Sequence, residues 1–162
     1  KRFKNNNAGY IMNNVGRSIE DNDIKMGIIA NVLDLNVGNI KRNYGEWITY
    51  NYAPYGIIAN YCTDISSNYC SNGSITNNTI SGTISANNCP GIMNNIGAQI
   101  DENVISNIIY GNMTTFIYGN TGGVTDIQYN KCKQIQSNTN TGSISENTCL
   151  EINSNSNFKS FS

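Results

Sequence analysis

The sequence predicts an all-β fold, a parallel β-solenoid of roughly eight coils with about 17–18 residues per coil. Two observations support this prediction. Asparagine and isoleucine are unusually abundant, with 31 Asn and 24 Ile among 162 residues. Apolar residues and asparagines also recur at intervals of about 17–18 residues, which fits neither the 3.6-residue period of a helix nor long two-residue alternation. An interval of this size is typical of stacked repeats.

The apolar residues can be aligned in rows of equal length, and we expect each row to be one coil. Their side chains should point inward, because β-branched residues pack well on a pleated surface. The rows are Ile58, Cys62, Ile65, Cys70; Ile75, Ile80, Ile84, Cys89; Ile92, Ile96, Ile100, Ile105; Ile109, Met113, Ile117; Ile127, Cys132, Ile135, Thr139; and Ile144, Cys149, Ile152.

Two series of asparagines keep the same interval and are expected at the corners between short strands. Asn tolerates left-handed backbone and bonds nearby backbone groups. Stacked coil on coil, the side-chain amides should form hydrogen-bonded ladders. The first series is Asn60, Asn78, Asn95, Asn112, Asn130 and Asn147, and the second is Asn51, Asn68, Asn87, Asn103, Asn120, Asn138 and Asn155.

The regularity of the repeat divides the chain into three parts. Residues 1–56 are expected to form irregular N-terminal coils or a cap, residues 57–155 the regular solenoid, and residues 156–162 a C-terminal tail. Within the first part, residues 26–33 could be a strand or a short capping helix. A trimeric β-helix of three intertwined chains is the alternative architecture. The single-chain coil is favoured because the asparagine and cysteine columns align better at the full interval than at half of it.

Composition argues against several classes of protein. Only 13% of the residues are charged, the formal net charge is −1, and there is no His. Ten scattered Lys and Arg do not form a basic face, so nucleic acid is not an expected partner. The apolar runs are too short for a transmembrane helix, so no membrane insertion is expected. The start of the sequence does not read as a signal peptide.

The run Asn-Thr-Ile-Ser-Gly-Thr-Ile at 78–84 and the segment 96–105 resemble the Asn/Ile-rich short repeats of bacteriophage tail fibres and bacterial surface fibres. The four-sided spacing also resembles the coil of pentapeptide-repeat proteins. The resemblance implies an extracellular or virion-surface location and a structural, adhesive shaft. Surface glycans are the expected ligand of such a shaft. A solenoid also exposes a sheet edge at each end, so self-association as a homotrimer or a filament is expected.

The segment 44–55 contains five aromatic residues, including the single Trp. Trp47, Tyr50, Tyr52 and Tyr55 are therefore the candidate ligand-binding residues, since an aromatic platform can stack on sugars. The alternative is that Tyr44 and Tyr52 replace Ile inside a wider coil.

Neither catalysis nor a cofactor is expected, and no catalytic residue is assigned. The five cysteines occupy apolar columns and are expected to be buried free thiols, although a disulfide between Cys132 and Cys149 is an alternative. Without a CxxC motif or His, no metal site is expected.

Two other functions stay open. Glu46 and Asp64, one coil interval apart in sequence, are the one pair of acids expected to stack as a polysaccharide hydrolase or lyase would require. An ice- or surface-binding solenoid would need an ordered outward Thr array, but the threonines do not recur at the coil interval.

Overall fold

A computed structural model of the chain describes residues 1–122, 126–139 and 142–156, together with the backbone of 160–161. It is an all-β parallel solenoid of about nine coils, and the described residues contain no helix. The segment 26–33 accordingly contains the end of one strand, a corner at residues 30–31 and a second strand rather than a capping helix. No helix long and apolar enough to cross a membrane occurs in the part of the chain that the structure describes.

The described residues form twenty-three short strands, which build the coils. In chain order they are β1 (Arg2–Lys4), β2 (Asn7–Met12), β3 (Val15–Gly16), β4 (Ser18–Glu20), β5 (Asp23–Ile29), β6 (Val32–Leu33), β7 (Asn39–Lys41), β8 (Trp47–Thr49), β9 (Ile57–Ile58), β10 (Tyr61–Cys62), β11 (Asp64–Ser66), β12 (Ile75–Thr76), β13 (Thr79–Ile80), β14 (Thr83–Ser85), β15 (Asn88–Met93), β16 (Gln99–Asp101), β17 (Val104–Tyr110), β18 (Phe116–Tyr118), β19 (Asp126–Gln128), β20 (Gln134–Gln136), β21 (Ser143–Ser145), β22 (Glu151–Asn153) and β23 (Ser160–Phe161).

The strands stack into two long parallel sheets. The first sheet has ten strands in the order β1-β4-β7-β9-β12-β15-β17-β19-β21-β23, and the second has nine in the order β2-β5-β8-β11-β14-β16-β18-β20-β22. Two shorter sides of each coil connect the long sheets. These sides pair with the same sides of adjacent coils through β3-β6, β10-β13 and single parallel bridges. At a strand spacing of ~4.8 Å, nine coils form a rod about 40 Å long.

Isoleucine columns fill the interior of the rod. In each long sheet, the central residue of nearly every strand is an Ile that lies on the equivalent Ile of the next coil. The first-sheet column comprises Ile19, Ile40, Ile57, Ile75, Ile92, Ile109, Ile127 and Ile144, and the second-sheet column comprises Ile11, Ile28, Ile48, Ile65, Ile84, Ile100, Ile117 and Ile135. Each of these side chains is at most 6% exposed, so the two columns form one dry core.

Four predicted inward positions are wrong. Ile57 rather than Ile58 occupies the first-sheet column, where it pairs with Ile75. On the short sides the inward slots are shifted by one residue, and Ile96 and Met113 are each 52% exposed. Thr139 is also exposed. Ile152 pairs with Ile135 in the second-sheet column, as predicted, and is 41% exposed because β22 is the last described strand of that sheet. Successive side chains of a strand point to opposite faces, so on such short sides an apolar interval alone cannot decide which neighbour points inward.

Two asparagine ladders run through all the coils at opposite corners. Each ladder side chain accepts, at Oδ1, hydrogen bonds from the Nδ2 group and the backbone N–H of the ladder Asn in the preceding coil. The Nδ2–Oδ1 distances are 2.8–3.2 Å. The first ladder is Asn6, Asn22, Asn43, Asn60, Asn78, Asn95, Asn112, Asn130 and Asn147, and the second is Asn14, Asn31, Asn51, Asn68, Asn87, Asn103, Asn120, Asn138 and Asn155.

The left-handed residue at each corner is the one before the ladder Asn, and not the ladder Asn itself. All eighteen of these residues have φ between +53° and +64°. Only Asn5, Asn13, Asn77 and Asn94 among them are asparagines, and only Gly111 and Gly119 are glycines. The ladder asparagine is therefore selected for its hydrogen bonds across coils rather than for its tolerance of left-handed backbone.

The N-terminal part of the chain continues the same two sheets as the rest of the solenoid. Strands β1, β4 and β7 belong to the first sheet, and β2, β5 and β8 belong to the second. One coil of this part is lengthened by a loop after β6, in which the Gly38 N–H donates to the Asp34 carbonyl at 2.7 Å. This loop extends the interval between paired residues of β4 and β7 to 21 residues. At the other end, Phe161 pairs with Ile144, whereas residues 157–159 and 162 of the predicted tail lie outside the described residues.

Candidate functional site

Each corner presents two columns of side chains to solvent, one on either side of the buried ladder Asn. At the first corner, three successive coils contribute the sequences Asp21-Asn22-Asp23, Arg42-Asn43-Tyr44 and Ala59-Asn60-Tyr61. The ladder Asn of each triplet is buried, and the residue that follows it is exposed. Side chains that are a whole coil apart in sequence therefore become neighbours along the rod.

The predicted ligand-binding residues are exposed or partly exposed but follow the perimeter of one coil. Trp47 lies on the outer face of the second sheet, Tyr50 occupies the left-handed corner position, and Tyr52 begins the next short side. Tyr55 lies in the turn before β9. Among the described residues, none of these four rings contacts another of the four.

Tyrosines instead pair along the rod axis, between consecutive coils. The rings of Tyr44 and Tyr61 are 5.2 Å apart with an interplanar angle of 8°, and those of Tyr52 and Tyr69 are 5.4 Å apart at 11°. The expectation that Tyr44 replaces Ile inside a wider coil is wrong, because its side chain is 58% exposed. Tyr52 is likewise an outward residue, stacked on Tyr69 and bridged to Val32 of the preceding coil.

A shallow groove of about 510 Å³ lies beside the first of these stacks. We call it the first-corner groove, formed by Asp21, Asp23, Arg42, Tyr44 and Tyr61. The left-handed corner positions form one wall and the following short side forms the other, with the ladder Asn between them. It combines an aromatic pair with charged groups, which the segment 44–55 alone does not.

Ion pairs fix the charged wall of the groove. The Arg42 guanidinium binds both carboxylate oxygens of Asp21, with Nη2 3.0 Å from Oδ2. Its Nη2 also lies 3.7 Å from Glu20 Oε2, and Lys4 Nζ lies 3.5 Å from Asp21 Oδ2. The hydrogen bond from Arg42 lowers the pKa of Asp21, so this carboxyl stays ionised. The pKa of Glu20 is lowered mainly by the nearby Ser18 hydroxyl, with further contributions from Lys41 and Arg42.

Sequence reasoning missed Asp23, Arg42 and Tyr61 as partners of Tyr44. One signal was available, because Tyr44 and Tyr61 are one coil interval apart in sequence, as are Tyr52 and Tyr69. The loop after β6 hides this relation in the sequence, because pairs that span the loop are separated by 20–21 residues rather than 17. Asp21 and Arg42 are separated by a longer interval, and only the structure shows that they are neighbours.

The acids Glu46 and Asp64 do not share a column. Asp64 pairs with Trp47, one residue beyond Glu46, and Glu46 is exposed. Asp64 Oδ1 instead accepts hydrogen bonds from the backbone N–H of Thr83 at 2.7 Å and from its hydroxyl at 3.2 Å. Asp64 therefore has a role in holding β11 against β14.

All five cysteines are free thiols, including the column neighbours Cys132 and Cys149. Cys62, Cys70 and Cys89 are buried in the core, and Cys132 and Cys149 are partly buried. Burial raises the pKa of Cys62 and Cys89 to about 12. These two thiols are therefore protonated and unreactive near neutral pH.

Within the described ranges, no group of three or more Cys, Asp or Glu side chains is arranged to hold a metal ion. Comparison of the chain with protein-family models, with curated proteins and with solved structures finds no match. The candidate site therefore rests on its own geometry.

Proposed function

We propose that this chain is a rigid structural module of an extracellular or virion-surface fibre, and that its surface binds glycans. The observation behind the proposal is the pair of asparagine ladders, which run without interruption through all nine coils. Ladders of this kind serve the rod as a whole rather than one local site.

The ladders stiffen the rod because every coil is tied to the next at two opposite corners. Within each ladder, Nδ2 also donates to the carbonyl of an inward Ile in the preceding coil, as Asn103 does to Ile84 at 2.9 Å. Buried amides with all their partners present resist displacement, since each broken bond would leave an unpaired polar group. Bending or stretching the rod would break these bonds in sets.

The outer surface supports the adhesive part of the proposal. Exposed aromatic residues recur along the rod, among them Tyr44, Tyr61, Phe116 and Tyr118. Aromatic rings with one open face are common in sugar-binding surfaces and in interfaces between protein chains. Such a surface suits a fibre that both contacts glycans and self-associates as a homotrimer or a filament.

Light scattering on a sizing column, combined with small-angle X-ray scattering, tests this proposal. We expect either a discrete species near three times 17.8 kDa or a growing, polydisperse filament, each with the cross-section of a rod. A monodisperse monomer at every concentration would contradict the fibre proposal. The Asn103→Leu variant should lose the rod-like scattering curve, because it interrupts one ladder.

A further inference from the structure

We propose that the first-corner groove binds a neutral hexose oligosaccharide. The inference names a site for the glycan binding in the proposed function and rests on it. Three features of the groove support it: an aromatic pair with open outer faces, a carboxylate that is free to accept hydrogen bonds, and a guanidinium that is already paired with carboxylates.

The aromatic pair offers a surface for the apolar face of a sugar ring. Tyr44 and Tyr61 stack on each other, and their neighbours in the same column are the short residues Asp23 and Thr79. No third ring therefore continues the stack on either side. The two tyrosines are 58% and 53% exposed, which leaves aromatic surface available for C–H groups of a hexose.

Asp23 provides the polar contact next to this surface. It bridges to Tyr44 through the backbone, and its side chain is exposed. Among the described residues, the Asp23 carboxylate has no hydrogen bond or ion pair, whereas Asp21 is already held by Arg42 and Lys4. An ionised carboxylate accepts hydrogen bonds only, and its two oxygens can accept from two neighbouring hydroxyls of a sugar.

The charges around the groove favour a neutral ligand over an anionic one. The guanidinium of Arg42 is bound on its fork by Asp21 and lies close to Glu20, and Lys41 is paired with Glu20 at 3.5 Å. These basic groups are thus already paired, and a sulfated or phosphorylated sugar would find no free cation among the residues that form this groove. The groove spans three coils, about 10 Å from the first to the third, which suits a short oligosaccharide.

The opposite corner supplies a matched control within the same molecule. There Tyr52 and Tyr69 form an equivalent stack, but its neighbours in the column are Val32 and Asn88. The left-handed corner residue next to this stack is Tyr50. This second stack has the aromatic surface without the carboxylate. Variants of Tyr61 and Tyr69 therefore separate sugar binding at the groove from a general effect of losing a stacked ring.

Affinity electrophoresis of the full chain in native gels tests the proposal, with dextran, yeast mannan or hydroxyethyl cellulose as the embedded probe. We expect at least one of these neutral polysaccharides to retard the protein. Tyr61→Ala should weaken that retardation about tenfold, while Tyr69→Ala should leave it within about twofold. Thermal unfolding of both variants shows whether each one folds.

Asp23→Asn keeps the test decisive if Tyr61→Ala does not fold, because the Asp23 side chain is exposed and its replacement is nearly isosteric. This variant should also weaken retardation. The proposal is overturned if none of the three polysaccharides retards the wild-type protein, or if Tyr61→Ala and Tyr69→Ala weaken retardation equally. It is also overturned if the chain is retarded only by embedded gelatin, which is the control that contains no polysaccharide. The fibre proposal is tested separately, because the native mass and the rod-like scattering are measured without any polysaccharide.

Discussion

At the scale of the residue, the corners of this solenoid accept side chains that ordinarily avoid left-handed backbone. Ala30, Arg42, Tyr50, Ala59 and Tyr129 all have φ between +53° and +56°. A non-glycine residue in this region costs about 1–2 kcal/mol. The cost is tolerated because the ladder Asn that follows makes several buried hydrogen bonds, which fix the turn regardless of the residue before it.

Two glycine-to-alanine substitutions test this backbone strain, because they are expected to change the stability of the fold differently. Gly119 has φ +63°, and a methyl group there would make only ordinary contacts with Glu102, so Gly119→Ala should destabilise the fold by about 1 kcal/mol through backbone strain alone. Gly97 lacks a positive φ, and its added methyl would meet Ile80 at ordinary distances. Gly97→Ala should therefore be neutral or stabilise by about 0.5 kcal/mol. Urea unfolding measures both, and equal effects of the two changes would contradict the argument.

At the scale of the element, each coil adds one buried asparagine to each of the two ladders. Asn103 donates through Nδ2 toward the Ile84 carbonyl, the Asp101 carbonyl and Asn120 Oδ1, all at 2.9 Å, and its Oδ1 accepts from Asn87. The same side chain is 0% exposed. Water therefore cannot replace any of these partners if the side chain is changed.

A single isosteric change should interrupt the ladder in a pH-dependent way. Asn103→Asp removes the Nδ2 donor and places a carboxylate against three acceptors, which should cost about 3–5 kcal/mol at pH 7. Burial raises the pKa of the new carboxyl above its unfolded value of about 3.9. The variant therefore keeps part of its unfolding free energy below about pH 3.9, where the carboxyl is protonated, and loses this part as the pH rises through the folded pKa.

Urea midpoints at pH 3.5 and pH 7 measure this dependence for Asn103→Asp against wild type. Asn77→Asp is the control, because Asn77 is an exposed left-handed corner residue whose position tolerates Asp. It should change stability by less than about 0.5 kcal/mol at either pH. A deficit for Asn103→Asp that does not depend on pH would show that the carboxyl is not buried in the folded state.

At the scale of the whole molecule, the thiols of the core link global folding to alkaline pH. Burial raises the pKa of Cys89 to about 12, whereas an exposed thiol titrates near 8.5. Because the folded pKa is the higher one, the contribution of this thiol to stability is complete below about pH 8.5 and is lost as pH rises toward 12.

Comparison with a variant that lacks this thiol isolates the effect from the titration of Lys and Tyr. Between pH 8 and pH 10, wild type should lose about 1–2 kcal/mol more unfolding free energy than Cys89→Ala does. Urea unfolding at the two pH values gives the difference. Identical losses in the two proteins would mean that Cys89 ionises in the folded chain, and that the core is open to solvent at this column.

The sequence by itself determined the all-β solenoid, the length of its coil and the asparagines of the two ladders from residue 51 onward. It could do so because stacking in register forces equivalent residues to recur at one interval, and Ile and Asn are the residues that suit the core and the corners. Asn112, for example, was expected in a buried ladder and is 1% exposed.

Only the tertiary structure decided which residues meet on the surface. The loop after β6 changes the interval to 21 residues, so Asp21 and Arg42 became neighbours that no fixed interval predicts. The short sides also leave the inward direction open, which is why Ile96 and Tyr44 point outward. Both outcomes depend on how the backbone turns at each corner, and that is fixed by contacts with adjacent coils rather than by local sequence.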